Sequence, residues 1–269
     1  MLHILLMAIK LDSKDYQILK ILDEDFRTPF SKIAKKVQLS KNSVALRFDK
    51  LKEVTLHNLV GINNSLLGYT LIKVFYSFDF YDQALQEHIK KEFNNLSSCI
   101  WVAKIYGQYD VCIAFLVKEI HDFIEQDSQF NKIFASKINQ KDIQIIHQEY
   151  YFRHNYLHQN PIIRTYKVTR NNQVYPLTHN EKNLILAFRY QPRTSLIELA
   201  KKTNMTTKTV AAKIKQLEKA GVITGYFMTL DPLQFGYQTY KLLLQMHNIP
   251  DVEAFEQYLR SSKKCPLHL

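Results

Sequence analysis

Apolar residues recur along the chain with two different periods, and the change of period divides it. Up to Val54 the spacing is helical. Ile18, Leu19 and Leu22 share one face, Ile33, Ala34 and Val37 a second, and Val44, Phe48 and Leu51 a third. This predicts a helix capped by Asp12, with Asp15 favouring its N-terminus, a break over residues 23–29, and a short second helix. Gln38 then occupies a turn, and a third helix, capped by Ser40, runs from about Lys41 to Val54. Leu59–Asn63 reads as a short wing strand. From Leu67-Gly68 the period shortens towards two. Leu71, Val74 and Tyr76 mark a strand of about ten residues, and Gln83–Phe93 a helix with Leu85, Ile89 and Phe93 inward. Cys99–Ile105 and Val111–Val117 are strands around the tight turn Gly107-Gln108-Tyr109-Asp110. Ile120–Phe134 is a helix packing through Phe123, Ile124, Phe130 and Phe134, and Ile143–Phe152 a closing strand. The order β-α-β-β-α-β predicts a ferredoxin-like antiparallel sheet covered by helices on one face. Its other face needs a cover, which another subunit commonly supplies.

The helical pattern then returns. Leu177-Thr178-His179-Asn180-Glu181 matches Leu11 to Asp15, Arg193-Thr194 matches Arg27-Thr28, and Ala200-Lys201-Lys202 matches Ala34-Lys35-Lys36. All three are displaced by 166 positions. Thr206 to Leu217 repeats Ser40 to Leu51, with Val210, Ile214 and Leu217 on the apolar face. Thr178 with Glu181, and Ser195 with Glu198, have the spacing of capping boxes. Asn204 takes the turn position of Gln38, where left-handed backbone is expected. Gly221 should end the second long helix and Gly225 lie in its wing. Phe235-Gly236-Tyr237 repeats Leu67-Gly68-Tyr69. A strand (Tyr240 to Met246) and a helix (Val252 to Leu259) then begin a second sandwich that the sequence leaves half built. The organisation is α+β: a winged helix-turn-helix over 10–63, a ferredoxin-like α/β sandwich over 66–152, a basic connector over 153–176, a second winged helix-turn-helix over 177–230 and a truncated second sandwich over 235–269. Helix, tight turn, helix and wing is the layout of a DNA-binding unit.

Charge sharpens that expectation. The formal net charge is +11 over 269 residues. It divides into +4 over residues 10–60, −3 over 61–150, +4 over 151–176 and +6 over 177–230. Basic charge placed on both helix-turn-helix segments and on the stretch joining them favours nucleic acid over a membrane surface. Cys99, Cys112 and Cys265 are scattered, which suggests neither a disulfide framework nor a zinc site and fits a cytoplasmic protein. Met1 to Ile9 is apolar but too short to span a bilayer. The first six residues read as an extension or a misplaced start ahead of Met7. His147, His154 and His158 lack metal-ligand spacing. No nucleophile–base pairing or Gly-rich phosphate loop appears, so no catalytic residue is assigned.

The two long helices present different outward faces. With Val44 towards the core, the first offers Asn42, Leu46, Asp49 and Glu53, edged by Ser43 and Lys50. The second offers Lys208, Ala212, Lys215 and Lys219, edged by Thr209 and Gln216. Two carboxylates facing phosphates weaken binding, so the second helix is expected to supply most of the DNA affinity. The candidate DNA contacts are Lys41, Asn42, Ser43, Arg47 and Lys50 in the first unit. In the second they are Thr207, Lys208, Thr209, Lys213, Lys215 and Gln216. Arg47 suits either a phosphate or an acidic neighbour within the fold.

The Leu-Asp-x-x-Asp start, the Ser-x-x-x-Val-x-x-Arg-x-x-x-Leu helix (Ser40, Val44, Arg47, Leu51) and Gly107-x-x-Asp110 together resemble the Lrp/AsnC "feast or famine" transcription regulators. The resemblance covers residues 11–152 as one full copy and 177–260 as a truncated second. It implies sequence-specific binding to double-stranded DNA and a sensor sandwich that dimerises through its sheet. It further implies a small-molecule effector, an amino acid or related metabolite, near Gly107, Tyr109 and Asp110. A plain hairpin turn, with Asp110 bonding its own backbone, fits the same residues. Homodimers or higher homo-oligomers, no cofactor and no membrane association complete the expectation. Lys213 departs from the pattern where Arg47 keeps it, Gln38 replaces a usual Gly, and the second sandwich lacks its last strands. Siroheme decarboxylases resemble tandem copies of the same unit. Such an enzyme needs basic and His side chains around a tetrapyrrole, whereas the corresponding strands offer Lys104 and no His. A sensor acting through protein contacts alone is the third possibility.

Overall fold

The structure is a computed structural model that describes residues 10–151, 154, 157, 166–169, 174–240, 243 and 254. In chain order the helices are α1 (Ser13–Glu24), α2 (Phe30–Val37), α3 (Lys41–Leu51), α4 (Gln83–Phe93), α5 (Ile120–Phe134), α6 (His179–Phe188), α7 (Leu196–Thr203) and α8 (Thr207–Lys219). The strands are β1 (Thr55–Ile62), β2 (Thr70–Phe78), β3 (Cys99–Lys104), β4 (Val111–Val117), β5 (Ile138–Ile146), β6 (Gln148–Tyr151), β7 (Tyr166–Thr169) and β8 (Ile223–Leu230). They form two compact units. One comprises the described residues within Met1–Ile62, Tyr150–Tyr166 and Leu177–Leu269, the other those within Asn63–Glu149 and Lys167–Pro176.

The first unit joins residues 10–62 and 177–230, segments that the sequence pattern suggests as separate domains. In α1 the Asp12 carboxylate accepts from the Asp15 amide at 2.9 Å, and Asp15 returns the bond to the Asp12 amide at 3.1 Å. Gln38 ends α2 in left-handed backbone at φ 55°, and Asn204 ends α7 at φ 53°. Ser40 caps α3 and Thr206 caps α8, each accepting from the amide three residues on. The expected long helix to Val54 stops at Leu51 and tightens into a 3-10 turn over Lys52–Val54. Thr178 and Glu181 cap α6 reciprocally. At α7 only half of the expected box forms: Ser195 accepts from the Glu198 amide, but the Glu198 carboxylate turns outward to Lys202 at 2.8 Å.

The wing is longer than the expected Leu59–Asn63, because β1 pairs antiparallel with β8 of the other helix-turn-helix. Val60 faces Tyr226, residues separated by the same 166 positions as the sequence repeat. The flanking pairs Leu59–Phe227 and Gly61–Gly225 exchange under that offset. The repeat is therefore folded into a local two-fold centred on the Val60–Tyr226 pair. Gly61 is needed there: a Cβ on it would fall 2.2 Å from Cε2 of Phe227. Met228 and Leu230 of β8 enter the core of the first helix-turn-helix beside Ile18, Leu22, Val44 and Leu51.

Two arginines related by the same offset lie at the junction. The Arg193 guanidinium lies 4.4, 5.2 and 5.7 Å from the ring centres of Phe30, Phe48 and Phe26. It also donates to the carbonyl oxygens of Phe26 and Thr28. Arg27 lies 5.0 Å from the Tyr226 ring centre and 5.8 Å from that of Phe188. Each arginine leaves its own half to meet aromatic rings of the other.

The second unit is an antiparallel sheet of order β3-β4-β2-β5, with α4 and α5 on one face. Ile72, Val74, Tyr76, Ile113, Phe115, Phe130 and Phe134 form its core. The buried Tyr76 hydroxyl donates to Asp127 at 2.9 Å, and Lys141 and Asn131 also bind that carboxylate. Burial first, and then the Asp127 charge, push the Tyr76 hydroxyl well above its ordinary range. Ile124, expected to pack inward, is 51% exposed; the inner face of α5 is Phe123, Phe130 and Phe134 with Gln126 and Asp127. The last strand begins at Ile138 rather than Ile143. As an edge strand beside β2 alone it tolerates Gln140, Lys141 and Asp142, which hide its alternation. It also ends at Ile146, and β6 pairs instead with β7 inside the expected connector. Met1 to Ile9 and the expected helix of the second sandwich, except position 254, lie outside the described residues, as does most of the expected strand Tyr240 to Met246.

Candidate nucleic-acid interface

In each half the long helix is fastened to the start of the first helix by an ion pair on a buried carboxylate. The Asp15 side chain is fully buried. It accepts from Arg47 Nη1 at 2.6 Å and Lys50 Nζ at 2.9 Å, and Arg47 Nη1 also reaches Asp12 at 2.7 Å. Burial alone would raise the Asp15 carboxyl. Hydrogen bonds from Lys50, the Asp12 amide and Arg47 outweigh it and hold the group below its ordinary value. Asp12 is held down as well, by the Asp15 amide and then by Arg47. Lys50 additionally donates to the Lys10 carbonyl at 2.7 Å. Across the two-fold Glu181 takes the place of Asp15, and Lys213, in the position of Arg47, stands 3.8 Å from it.

These contacts sort the candidate DNA residues. Arg47, Lys50 and Lys213 are engaged within the fold, and the acidic-neighbour reading of Arg47 is the one its geometry shows. Lys41 and Asn42 are exposed at the start of α3, and Ser43 is half-buried with its hydroxyl 2.9 Å from that of Ser40. Thr207, Lys208, Thr209, Lys215 and Gln216 are all exposed on α8. Thr209 Oγ1 lies 2.8 Å from Thr206 Oγ1. Among the described residues, Lys208 and Lys215 have no carboxylate within 4.0 Å. On α3 the Asp49 carboxylate pairs with Lys52 at 2.6 Å, and Leu46 is 73% exposed. Leu46 lines a shallow cleft of about 400 Å³ with Asp12, Ser43, Arg47 and Lys50. The anchoring role of Asp15 and Glu181 and the crossed arginines escape a reading of the sequence alone. The repeat of Arg27 at Arg193 was their one visible signal.

The candidate effector residues sit in the turn between β3 and β4. Gly107 is exposed at φ 129°. The Asp110 carboxylate accepts from the Phe78 amide at 2.9 Å, and its own amide donates to the Tyr76 carbonyl at 2.9 Å. Tyr109 is buried, its ring centre 5.5 Å from that of Phe75 and its hydroxyl 3.3 Å from Gln140. The turn is thus stitched to β2, with the Asp110 side chain bound to the neighbouring strand. No cluster of metal-ligating side chains occurs among the described residues, and His154 pairs with Asp23 at 2.7 Å. No helix among them is long and apolar enough to cross a membrane.

The model of the AsnC-type helix-turn-helix domain matches residues 11–52, and that of a winged helix-turn-helix DNA-binding domain matches 177–224. The HTH-type transcriptional regulator LrpA of Pyrococcus horikoshii is 39% identical over 66 residues, 24% of this chain and 47% of that protein. An uncharacterised HTH-type transcriptional regulator of the same organism is 40% identical over 53 residues, 20% of this chain and 34% of its own. The chain spans less than half the length of these curated relatives. The crystal structure of the siroheme decarboxylase NirDL with an iron-uroporphyrin III analogue superimposes with a TM-score of 0.53 at 17% identity. That superposition covers 81% of this chain and 66% of the other, a likeness of fold. The first half thus carries an AsnC-type helix-turn-helix, and the second a winged helix-turn-helix that repeats it.

Proposed function

We propose that the chain is a sequence-specific DNA-binding transcription regulator that acts through α3 and α8. An amino acid or related metabolite bound near Gly107, Tyr109 and Asp110 modulates it. Cytoplasmic location and homodimers or higher homo-oligomers belong to the same reading. The observation that carries it is the local two-fold between the helix-turn-helix halves. Duplex DNA has the same local symmetry in its backbone, so two helices related in this way can enter successive major grooves. The exposed Lys208 and Lys215 supply charge for phosphates on the α8 side.

Titration of promoter fragments at several salt concentrations tests the proposal. Lys208→Gln and Lys215→Gln are each expected to weaken binding about five- to tenfold and to lower the salt slope by about 1. Lys50→Gln should leave the slope unchanged, because Lys50 is held by Asp15 and Gln216 already stands at the equivalent place in α8. Equal losses from all three would sink the assignment of the stronger face to α8.

The shared fold with NirDL supports a second reading, an enzyme acting on a tetrapyrrole. On β3 and β4 the charged side chain available is Lys104, whose ammonium lies 5.0 and 5.5 Å from the ring centres of Tyr106 and Tyr81. Added iron uroporphyrin is expected to keep its free absorbance spectrum. A saturable shift, with no DNA binding at low salt, would favour the enzyme.

A further inference from the structure

We infer that the paired helix-turn-helix unit recognises an asymmetric duplex site in one orientation rather than a palindrome. The inference rests on the DNA-binding reading and adds what kind of site is bound. A homodimer shows the same recognition helix to both half-sites, and its operator mirrors the protein's two-fold. Here the two-fold through Val60 and Tyr226 relates backbones whose outward side chains differ. Asn42 is replaced by Lys208, Leu46 by Ala212, Asp49 by Lys215, Lys50 by Gln216 and Glu53 by Lys219.

The chemistry of the two faces diverges accordingly. On the α3 side the exposed Leu46 is an apolar group suited to a thymine methyl, and Asn42 has the donor and acceptor that pair with an adenine edge. Asp49 is neutralised by Lys52, and the nearby Glu53 is exposed, so this half gains little from phosphates. On the α8 side Lys208, Lys215 and Lys219 are exposed around Ala211 and Ala212, which allows close approach with charge aimed at the backbone. Both helices are presented together because they share one compact unit, joined by the β1–β8 ladder and the crossed arginines. Self-association of whole chains can multiply this pair but cannot make its halves alike.

Selection of the full chain against a pool of random duplex DNA reads this out. The expected consensus has two unlike half-motifs whose centres lie about 10 base pairs apart. Palindromes built from either half should bind at least about tenfold more weakly than the selected site. Leu46→Ala, which copies the α8 residue onto α3, should relax base preference in one half-motif only. Half-motifs about 10 base pairs apart that prove alike, a palindrome of either half that binds as tightly as the selected site, or equal relaxation in both halves would overturn the inference while leaving DNA binding intact. Absence of any enrichment or salt-dependent binding would remove the DNA-binding reading and this inference with it.

Discussion

Arg193→Ala is expected to lower the stability of the paired helix-turn-helix unit by about 3 kcal/mol, while Arg27→Ala costs about 1 kcal/mol. The asymmetry follows from the surroundings of two residues that occupy equivalent places. Arg193 faces three phenylalanine rings and donates to two backbone carbonyls. Burial lowers its pKa from the ordinary value, yet a guanidinium stays charged in a protein. Removing it leaves the Phe26 and Thr28 carbonyls without their charged donor and opens a gap among the rings. Arg27 faces two rings and a hydroxyl at 3.4 Å, a weaker set. Arg193→Lys should recover less than half of the loss, because an ammonium cannot lie flat against the rings while donating to both carbonyls. Urea unfolding followed by far-ultraviolet circular dichroism checks all three variants. Similar midpoints for the two alanine variants would show that the phenylalanine cage contributes nothing particular.

The sequence pattern made the helices legible because each carries its own periodic face and its own cap. Asp12, Ser40, Thr178 and Thr206 act within three residues of themselves, so local spacing was enough. The wing was not legible to its full length. Thr-Leu-His-Asn-Leu-Val-Gly-Ile alternates poorly, and β1 owes its extent to β8, a partner far along the chain. Arg27 and Arg193 were visible as a repeat, but a cation among aromatic rings can be read only once the two-fold is known. Asp15 could be read as an acid near a helix N-terminus. Its burial under Arg47 and Lys50 depends on how α3 crosses α1, which no local pattern records. The turn at Gly107 to Asp110 was placed correctly as a turn. The destination of the Asp110 carboxylate, the Phe78 amide of a neighbouring strand, was not in the spacing.

Asp15→Ala is expected to cost about 3 kcal/mol at neutral pH, and its pH dependence identifies the cause. The substitution removes half of a reciprocal helix cap and strands two cations that share one buried carboxylate. Loss of one member of a buried pair costs about 3–5 kcal/mol and loss of a cap about 1 kcal/mol. Arg47 and Lys50 are 29% and 39% exposed, so water recovers part of their charge and the total falls at the lower end. The folded-state pKa of Asp15 lies below its ordinary value of 3.8. A depressed carboxyl contributes stability that is fully present above the unfolded value and is lost as pH falls through the folded one. Wild-type stability should therefore be flat from neutral pH down to about 5 on account of this group, then decline below about pH 4. The Asp15→Ala curve starts lower and lacks that part of the decline, so the two curves approach each other in acid. Asp12, also depressed, keeps its own slope in both proteins. Denaturant midpoints measured from pH 7 to pH 2 decide the matter. Curves that stay parallel to pH 2 would assign the loss to packing at the α1–α3 contact rather than to the Asp15 charge, whereas convergence makes the carboxylate the anchor of α3.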